Sequence, residues 1–279
     1  MIHKAHAPYF SFTRGETPVF LHIPHSSVRI PEEWKSDFVI SSEALAHEAQ
    51  WMGDLYTDEL FFNTSRKYYT LTSQISRLVV DVERFEDDAK EGMSAYGMGA
   101  VYEKTSNGAW MKSFSAQRRE EYLHTIFRPY HAALNALIQD CIDRFGYCFI
   151  IDCHSFPSEP RYYEDQTPNR PDICLGTTKG YAPEFTPDWS IELCTTYFSS
   201  QNYSVKLDTP FSGTILPNDL VKQEAYKGKM HSIMLEINRK LYMDEHEFTK
   251  KASFHTLQNQ IQNCLAQIED RVKEKTGTN

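Results

Sequence analysis

The chain has 279 residues, of which 41% are hydrophobic and 24% are charged, and its formal net charge is −9. A chain of this length can bury a full core, and we expect a single domain over residues 1–279. The acidic balance argues against a nucleic-acid partner, because binding to phosphates requires a basic face.

The amino-terminal segment lacks the basic region and the continuous apolar run of a signal peptide. No later apolar run is long enough to cross a bilayer, so no membrane partner is expected. The six cysteines include no C-x-x-C pair, which favours reduced thiols over disulfides. These features predict a soluble, cytoplasmic protein.

The first predicted strand covers residues 18–23, PVFLHI, and Pro24 ends it. His25 follows directly, where a strand would deliver a side chain to the edge of a sheet. His22 lies inside the run and is assigned to the core or to a sheet edge.

Apolar residues recur at helical spacing from residue 41 to residue 62 and predict one long helix. Asp54 and Asp58 would then share one face, because they are four residues apart. That face is either solvated or holds a cation between the two carboxylates.

Two further strands are predicted at residues 67–72 and 78–82. Arg77 and Asp81 fall on one face of the second strand, and Arg84 lies just beyond it. Such arginines either bind carboxylates of a ligand or form surface ion pairs. Residues 86–107 have no sustained period and predict a long loop or lid.

A helix is predicted at residues 115–145, kinked or divided at Pro129 and ended by Gly146. The apolar run that follows ends in Asp152-Cys153-His154, which is typical of a buried strand with polar groups at its carboxyl end. Asp152 and His154 share one face of this strand, where an aspartate can orient a metal-binding imidazole.

The rest of the chain predicts strands at residues 172–176, 204–207 and 231–238 and helices at 186–202 and 254–272. Glu236 lies within the last strand, where its burial is costly unless it meets a cation, a donor or a proton. Arg239 follows where that strand ends. The alternation of strands and helices predicts an α/β sandwich with a mixed, largely parallel sheet.

Two histidines and one carboxylate are sufficient for a catalytic zinc ion with an open position, and a further glutamate could transfer protons. The sequence contains neither a G-x-S-x-G motif nor a glycine-rich phosphate loop. The chemistry therefore favours a metal site over a serine hydrolase or a nucleotide enzyme.

Six segments in chain order resemble the N-formylglutamate amidohydrolase family. They are IPHSS at 23–27, DLYTDELF at 54–61, SRLVVDVER at 76–84, DCHS at 152–155, FSGT at 211–214 and MLEINRKLYMDE at 234–245. The family is similar in fold to zinc carboxypeptidases and aspartoacylases, which implies a three-layer sandwich with a metal at the carboxyl ends of the strands.

The resemblance implies hydrolysis of N-formyl-L-glutamate to formate and glutamate, in histidine breakdown. It further implies a role for each candidate residue: zinc ligands His25, Asp54 and His154; general base Glu236; substrate-binding arginines Arg77, Arg84 and Arg239; and supporting carboxylates Asp152, Asp81 and Asp58. Asp58 is the alternative to Asp54 as the carboxylate ligand. Another divalent metal could replace zinc.

The chain departs from the family where it has Ser27 in place of a glycine and Glu83 in place of an asparagine. An anion at position 83 would repel a dicarboxylate if it faces the pocket. Two alternatives therefore stay open: a hydrolase of another N-acyl amino acid or small peptide, and a binding protein for acidic amino-acid derivatives that has lost turnover.

Overall fold

A computed structural model describes residues 4–62, 65–164, 166 and 169–277. Its strands are β1 (Lys4–His6), β2 (Phe10–Thr13), β3 (Val19–Ile23), β4 (Tyr69–Ser73), β5 (Cys148–Phe156), β6 (Ile173–Gly176), β7 (Val205–Leu207), β8 (Met230–Asn238), β9 (Met243–Asp244) and β10 (Thr249–Lys250). Its α-helices are α1 (Glu32–Lys35), α2 (Ser42–Met52), α3 (Thr57–Phe61), α4 (Ala116–Tyr122), α5 (Arg128–Phe145), α6 (Asp188–Ser200), α7 (Asn218–Val221) and α8 (Phe254–Thr276).

Strands β1 to β8 form one sheet in the order β1-β2-β4-β3-β5-β8-β6-β7. The four central strands β4, β3, β5 and β8 run parallel. Strands β2 and β6 pair antiparallel with the two edges of this parallel centre. The prediction of a mixed, largely parallel sheet is therefore confirmed. Strands β1 and β2 lie outside the predictions, because runs of three or four residues carry too little periodicity.

Helices cover both faces of the sheet. Ile150 on one face of β5 packs in a core with Ile138 of α5. Ile151 on the opposite face of β5 packs in a second core with Ile261 of α8. Because successive side chains of a strand point to opposite faces, one apolar run supplies both cores. The predicted three-layer α/β sandwich is confirmed. None of the described helices combines the length and the apolar content of a bilayer-spanning segment.

The single helix predicted over residues 41–62 is wrong, because α2 and α3 are separate helices. A Cβ atom at Gly53 would lie 2.9 Å from a carbonyl oxygen of α2, so glycine permits the chain to turn there. Tyr56 then adopts a left-handed conformation, with φ at 68°. Asp54 lies in the break and Asp58 in α3, so the two carboxylates do not share a helix face.

The strand predicted over residues 78–82 is also wrong. This segment forms turns, in which the amide of Val79 donates to the carbonyl of Ser76 at 2.9 Å. Leu78 is buried in one apolar cluster and Val80 in another. A loop that is buried on two sides produces the same apolar run as a buried strand, so periodicity does not distinguish them.

The helix predicted over residues 115–145 is divided. Helix α4 leads into a π-helical turn at Leu123–Phe127, and α5 then begins with Pro129 in its first turn. Gly146 ends α5 with a positive φ of 71°. The glycine end is confirmed, and the predicted kink or division corresponds to the π-helical turn that directly precedes Pro129.

Lys112 is buried and anchors the loop that carries Arg77 and Asp81. Its ammonium group donates to the carbonyl of Val79 at 3.0 Å and lies 4.6 Å from the centre of the Tyr122 ring. Burial lowers the pKa of Lys112 to about 7. Lysine in the unfolded chain keeps its proton to about pH 10.4. Between these values the unfolded state therefore binds more protons than the folded state.

We therefore expect the free energy of unfolding to rise with pH in this interval, by up to about 1.4 kcal/mol per pH unit. Urea unfolding at several pH values measures the slope. Lys112→Met should flatten it relative to the unsubstituted protein, whereas Lys90→Met, at an exposed lysine, should leave it unchanged. Equal slopes in the protein and in Lys112→Met would contradict the assignment.

Candidate metal and active site

A cavity of about 750 Å³ lies at the carboxyl ends of the parallel strands. His25 follows the end of β3, and Asp152 and His154 lie in the second half of β5. The pairing of β5 with β8 places His154 opposite Glu236. All four side chains line the cavity, because neighbouring parallel strands end at the same edge of the sheet.

The imidazole of His25 has one nitrogen bound and one free of hydrogen bonds. Its Nε2 atom lies 2.8 Å from Oδ1 of Asp81. Its Nδ1 atom is buried and has no hydrogen-bond partner. This nitrogen lies 3.7 Å from a carboxylate oxygen of Asp54 and 3.7 Å from one of Glu83. When Asp81 accepts the Nε2 proton, the Nδ1 lone pair points between these two carboxylates.

His154 has a carboxylate at each ring nitrogen. Its Nδ1 lies 3.1 Å from Oδ2 of Asp54. Its Nε2 lies 3.1 Å from Oδ1 of Asp152 and 3.0 Å from Oε2 of Glu83. Burial lowers the pKa of His154, but the charges of Glu83 and Asp152 outweigh burial and raise it well above its usual value. The surroundings of this imidazole therefore attract positive charge, which a proton or a metal ion can supply.

Asp54, which lies in the break between α2 and α3, joins His25 and His154 in one cluster of histidines and carboxylates. Its amide donates to the carbonyl of His25 at 2.9 Å. Its Oδ1 accepts from Arg239 at 2.9 Å, and its Oδ2 accepts from the amide of Ser155 at 3.3 Å. Burial raises the pKa of Asp54, but the hydrogen bond with His154, the nearby imidazole of His25 and the charge of Arg239 hold it below its usual range. Asp54 therefore carries a negative charge at neutral pH.

Glu83 belongs to the cluster as well. Its side chain is only 17% exposed and lines the cavity. One ligand atom from each of His25, Glu83 and His154 can be chosen so that all three lie within 4.8 Å of one another. The sequence marks Glu83 only as a departure from the family pattern. It therefore does not predict this contact with the histidines.

His22 is buried behind the cluster, as expected of a core histidine. Its Nδ1 lies 2.8 Å from Asp152 and its Nε2 lies 2.9 Å from the hydroxyl of Tyr130. His22, Glu83 and Asp152 form a second group whose ligand atoms lie within 4.8 Å of one another. Because both nitrogens of His22 already have hydrogen-bond partners, this group is a buried network that holds Asp152 against His154.

Among the residues that the structure describes, Glu236 is the buried carboxyl group with an oxygen that makes no hydrogen bond. Its Oε2 atom is buried and makes no hydrogen bond. Burial raises the pKa of Glu236 to about 8, and the charge of Asp54 adds to this effect while His154 opposes it. A divalent cation nearby would lower this pKa, because an opposite charge favours the carboxylate. Glu236 can therefore exchange a proton near neutral pH.

The three arginines predicted to bind substrate all line the cavity. Arg77 donates twice to Oδ2 of Asp81, at 3.0 and 2.7 Å. Arg239 donates to Asp54. The Nε atom of Arg84 is buried without a hydrogen-bond partner and lies 3.5 Å from Oδ2 of Asp81. Arg77 and Arg239 thus donate hydrogen bonds to carboxylates of the protein, whereas Arg84 forms only longer ion pairs with Asp81 and, at 3.9 Å, with Glu91.

The three carboxylates predicted to support the site take different places. Asp81 holds His25, and Asp152 holds His154. Asp152 is itself held by the amide of Ile215 at 2.7 Å. Asp58 is exposed on α3 and is not among the described residues that line the cavity.

The residues present fit a divalent metal ion such as zinc. Imidazole nitrogens and carboxylate oxygens are ligands that zinc takes, and each histidine carries a carboxylate on its second nitrogen. The buried Nδ1 of His25 would cost free energy if nothing met its lone pair. The chemistry of the donor set and this single nitrogen both support a metal at this position.

Fold and cluster together define an α/β protein with a histidine–carboxylate centre at the carboxyl edge of a mixed sheet. Within that class, the chain belongs to the N-formylglutamate amidohydrolase family, whose sequence profile matches residues 17–243.

Known proteins of similar sequence and fold agree with this membership. An N-formylglutamate deformylase of Pseudomonas aeruginosa is 27% identical over 240 residues, which are 84% of this chain and 85% of that protein. One of Pseudomonas putida is 25% identical over 85% of this chain and 86% of that protein. The crystal structure of an N-formylglutamate amidohydrolase from Ralstonia eutropha JMP134 shares the fold, with a TM-score of 0.82 and 21% identity, over 96% of this chain and 100% of that one.

Proposed function

We propose that the protein hydrolyses the amide bond of an N-acyl acidic amino acid, and that the substrate is N-formyl-L-glutamate, as in histidine breakdown. The observation that carries this proposal is the buried, unpartnered Nδ1 of His25 beside Asp54 and His154, in the cavity that Glu236 also lines. The names of the two Pseudomonas relatives support the choice of substrate.

We assign the zinc ligands to His25, Asp54 and His154. One oxygen of Asp54, Oδ2, lies 3.7 Å from Nδ1 of His25 and 3.1 Å from Nδ1 of His154. In this arrangement both histidines use the same ring nitrogen, and both donate from Nε2 to a carboxylate, Asp81 or Asp152. A set with Glu83 in place of Asp54 would use the other nitrogen of His154, Nε2, which lies 3.0 Å from Glu83 and is also the nitrogen that Asp152 contacts at 3.1 Å.

A zinc ion bound there would lower the pKa of a bound water molecule and would polarise the acyl carbonyl. The chain's own base is Glu236, which takes one proton from the attacking water as the new C–O bond forms at the formyl carbon. Glu236 then donates that proton to the amide nitrogen while the C–N bond breaks. Formate and glutamate are the products. Burial keeps water away from Glu236 except at the cavity side, which favours both transfers.

Arg84 is the predicted arginine best placed to bind a substrate carboxylate, since it lines the cavity and its ion pairs with Asp81 and Glu91 are longer than hydrogen bonds, at 3.5 and 3.9 Å. A hydrogen bond to a charged group contributes about 1.5–3 kcal/mol, which is enough to favour an acidic over a neutral substrate. Arg77 and Arg239 already donate to Asp81 and Asp54. We therefore assign these two arginines to holding the carboxylates of the site.

The decisive test is formate release from N-formyl-L-glutamate by purified protein. We expect turnover that stops after removal of metal by a chelator and returns on addition of zinc, because Glu236 alone cannot polarise the carbonyl. Elemental analysis of the same preparation identifies the metal. Turnover that persists in metal-free protein would contradict the metal site.

Glu83 favours one alternative, namely another acyl amino acid as the substrate, because its charge faces the cavity. Comparison of formyl, acetyl and succinyl glutamate separates the two. Faster turnover of a longer acyl group would replace the first proposal. Binding of glutamate derivatives without any hydrolysis by the metal-loaded protein would instead identify a binding protein.

A further inference from the structure

Arg161 is an arginine of the same cavity that the sequence does not assign to a role. It lies in the loop after β5, and its guanidinium group stacks 3.8 Å from the centre of the Trp51 ring. One terminal nitrogen donates to the Trp51 carbonyl oxygen at 3.3 Å. The stacked ring restricts the guanidinium group without neutralising its charge.

The acidic residues around Arg161 are engaged elsewhere. Glu164 accepts from the guanidinium group of Arg170 and from the backbone amide of Arg161 at 2.8 Å. Glu245 accepts from the amide of Ser158 at 3.1 and 3.2 Å. Within residues 4–62, 65–164, 166 and 169–277, Arg161 forms no ion pair, in contrast to Arg239.

A second guanidinium group lies close to it. Nη1 of Arg239 donates at 2.9 Å to the Trp51 carbonyl oxygen that Arg161 also contacts. Two like charges that converge on one neutral acceptor repel each other. The charge of Arg239 is balanced by Asp54. No described residue forms an ion pair with Arg161, so its charge favours an anion in the cavity beside it.

We propose that Arg161, stacked on Trp51 beside Arg239, forms a carboxylate-binding subsite that holds one of the two carboxylates of an acidic acyl amino acid. This inference rests on the proposed function. Arg84, which lines the same cavity and whose ion pairs with Asp81 and Glu91 are long, at 3.5 and 3.9 Å, holds the other carboxylate. A planar guanidinium group that is already restricted loses little conformational freedom when it forms paired hydrogen bonds with a carboxylate.

Arg161→Met tests the subsite through three substrates: N-formylglutamate, its side-chain amide N-formylglutamine, and the amide of its α-carboxylate. With N-formylglutamate we expect kcat/KM to fall between about 10-fold and 100-fold, mostly through KM. With one of the two amides the loss should disappear, because that substrate lacks the carboxylate that Arg161 contacts. That amide identifies the carboxylate. An equal loss with all three substrates would overturn the subsite.

Calorimetric binding of glutarate, a dicarboxylate with no amide to hydrolyse, separates the subsite from the proposed function. We expect Arg161→Met to weaken glutarate binding at least 10-fold and Arg161→Lys to restore part of it. Arg271→Met, at an exposed arginine outside the cavity, is the matched control. Glutarate binding that depends on Arg161 in a protein without turnover would refute the function and keep the subsite. Unchanged glutarate affinity in Arg161→Met, or no glutarate binding by the unsubstituted protein, would refute the subsite.

Discussion

Glu236→Gln is expected to lower kcat for N-formylglutamate hydrolysis by about 100-fold to 10,000-fold, the usual contribution of a general base. Glutamine keeps the size of the side chain but cannot accept the proton of the attacking water. KM should change little, because Glu236 is proposed to act on water and on the departing amine, not on the substrate carboxylates. Formate release under saturating substrate measures the effect.

Two controls separate lost proton transfer from lost structure. Zinc content should stay the same in Glu236→Gln, because its Oε2 makes no hydrogen bond with any of the proposed ligands. Glu224→Gln changes an exposed glutamate in the same chemical way and should keep full activity. Activity within about 3-fold of the unsubstituted protein in Glu236→Gln would remove this residue from the proton transfer.

Asp54→Asn is expected to weaken zinc affinity more than Glu83→Gln does. Residues that only orient a metal ligand contribute about 10-fold to 100-fold to affinity, and loss of a ligand should exceed that range. Oδ2 of Asp54 lies near Nδ1 of both histidines, whereas Oε2 of Glu83 lies near Nδ1 of His25 and near Nε2 of His154, the nitrogen that Asp152 also contacts. Competition with a chromophoric chelator measures both affinities without any substrate.

The reverse order would assign the carboxylate ligand to Glu83 and leave Asp54 to hold His154. Replacement of zinc by cobalt gives an independent test of the carboxylate ligand, since the visible absorption of cobalt changes with the number and type of ligands. Loss of Asp54 also leaves Arg239 without its counter-ion in a buried position. Thermal unfolding of Asp54→Asn should therefore be measured as well, to establish that the variant is folded under the conditions of the affinity measurement.

Short-range patterns in the sequence were sufficient to predict much of the fold and part of the candidate site. Strand β5 ends in polar residues after an apolar run, and alternation alone places Asp152 and His154 on one face and Cys153 on the other. The repeated order of strands and helices was sufficient for the sandwich. Both features are local, because each is decided within about ten residues by the period of the side chains.

The same local patterns gave wrong predictions where contacts between distant segments determine the conformation of the backbone. Residues 78–82 are apolar because a loop is buried between two clusters, and residues 41–62 are helical in period although Gly53 and Tyr56 break the helix. Asp54 reaches the histidines only because of that break.

By itself, the sequence determined which strands deliver His25, His154 and Glu236 to one edge of a sheet, since each depends on the period of a single segment. Only the tertiary structure decided that Glu83 lies against His154, that Arg77 and Arg239 are engaged by Asp81 and Asp54, and that Arg161 has no ion-pair partner among the described residues. The physical reason is the distance in sequence between the interacting residues. Ion pairs and metal sites join side chains from separate segments, so their partners depend on how those segments pack.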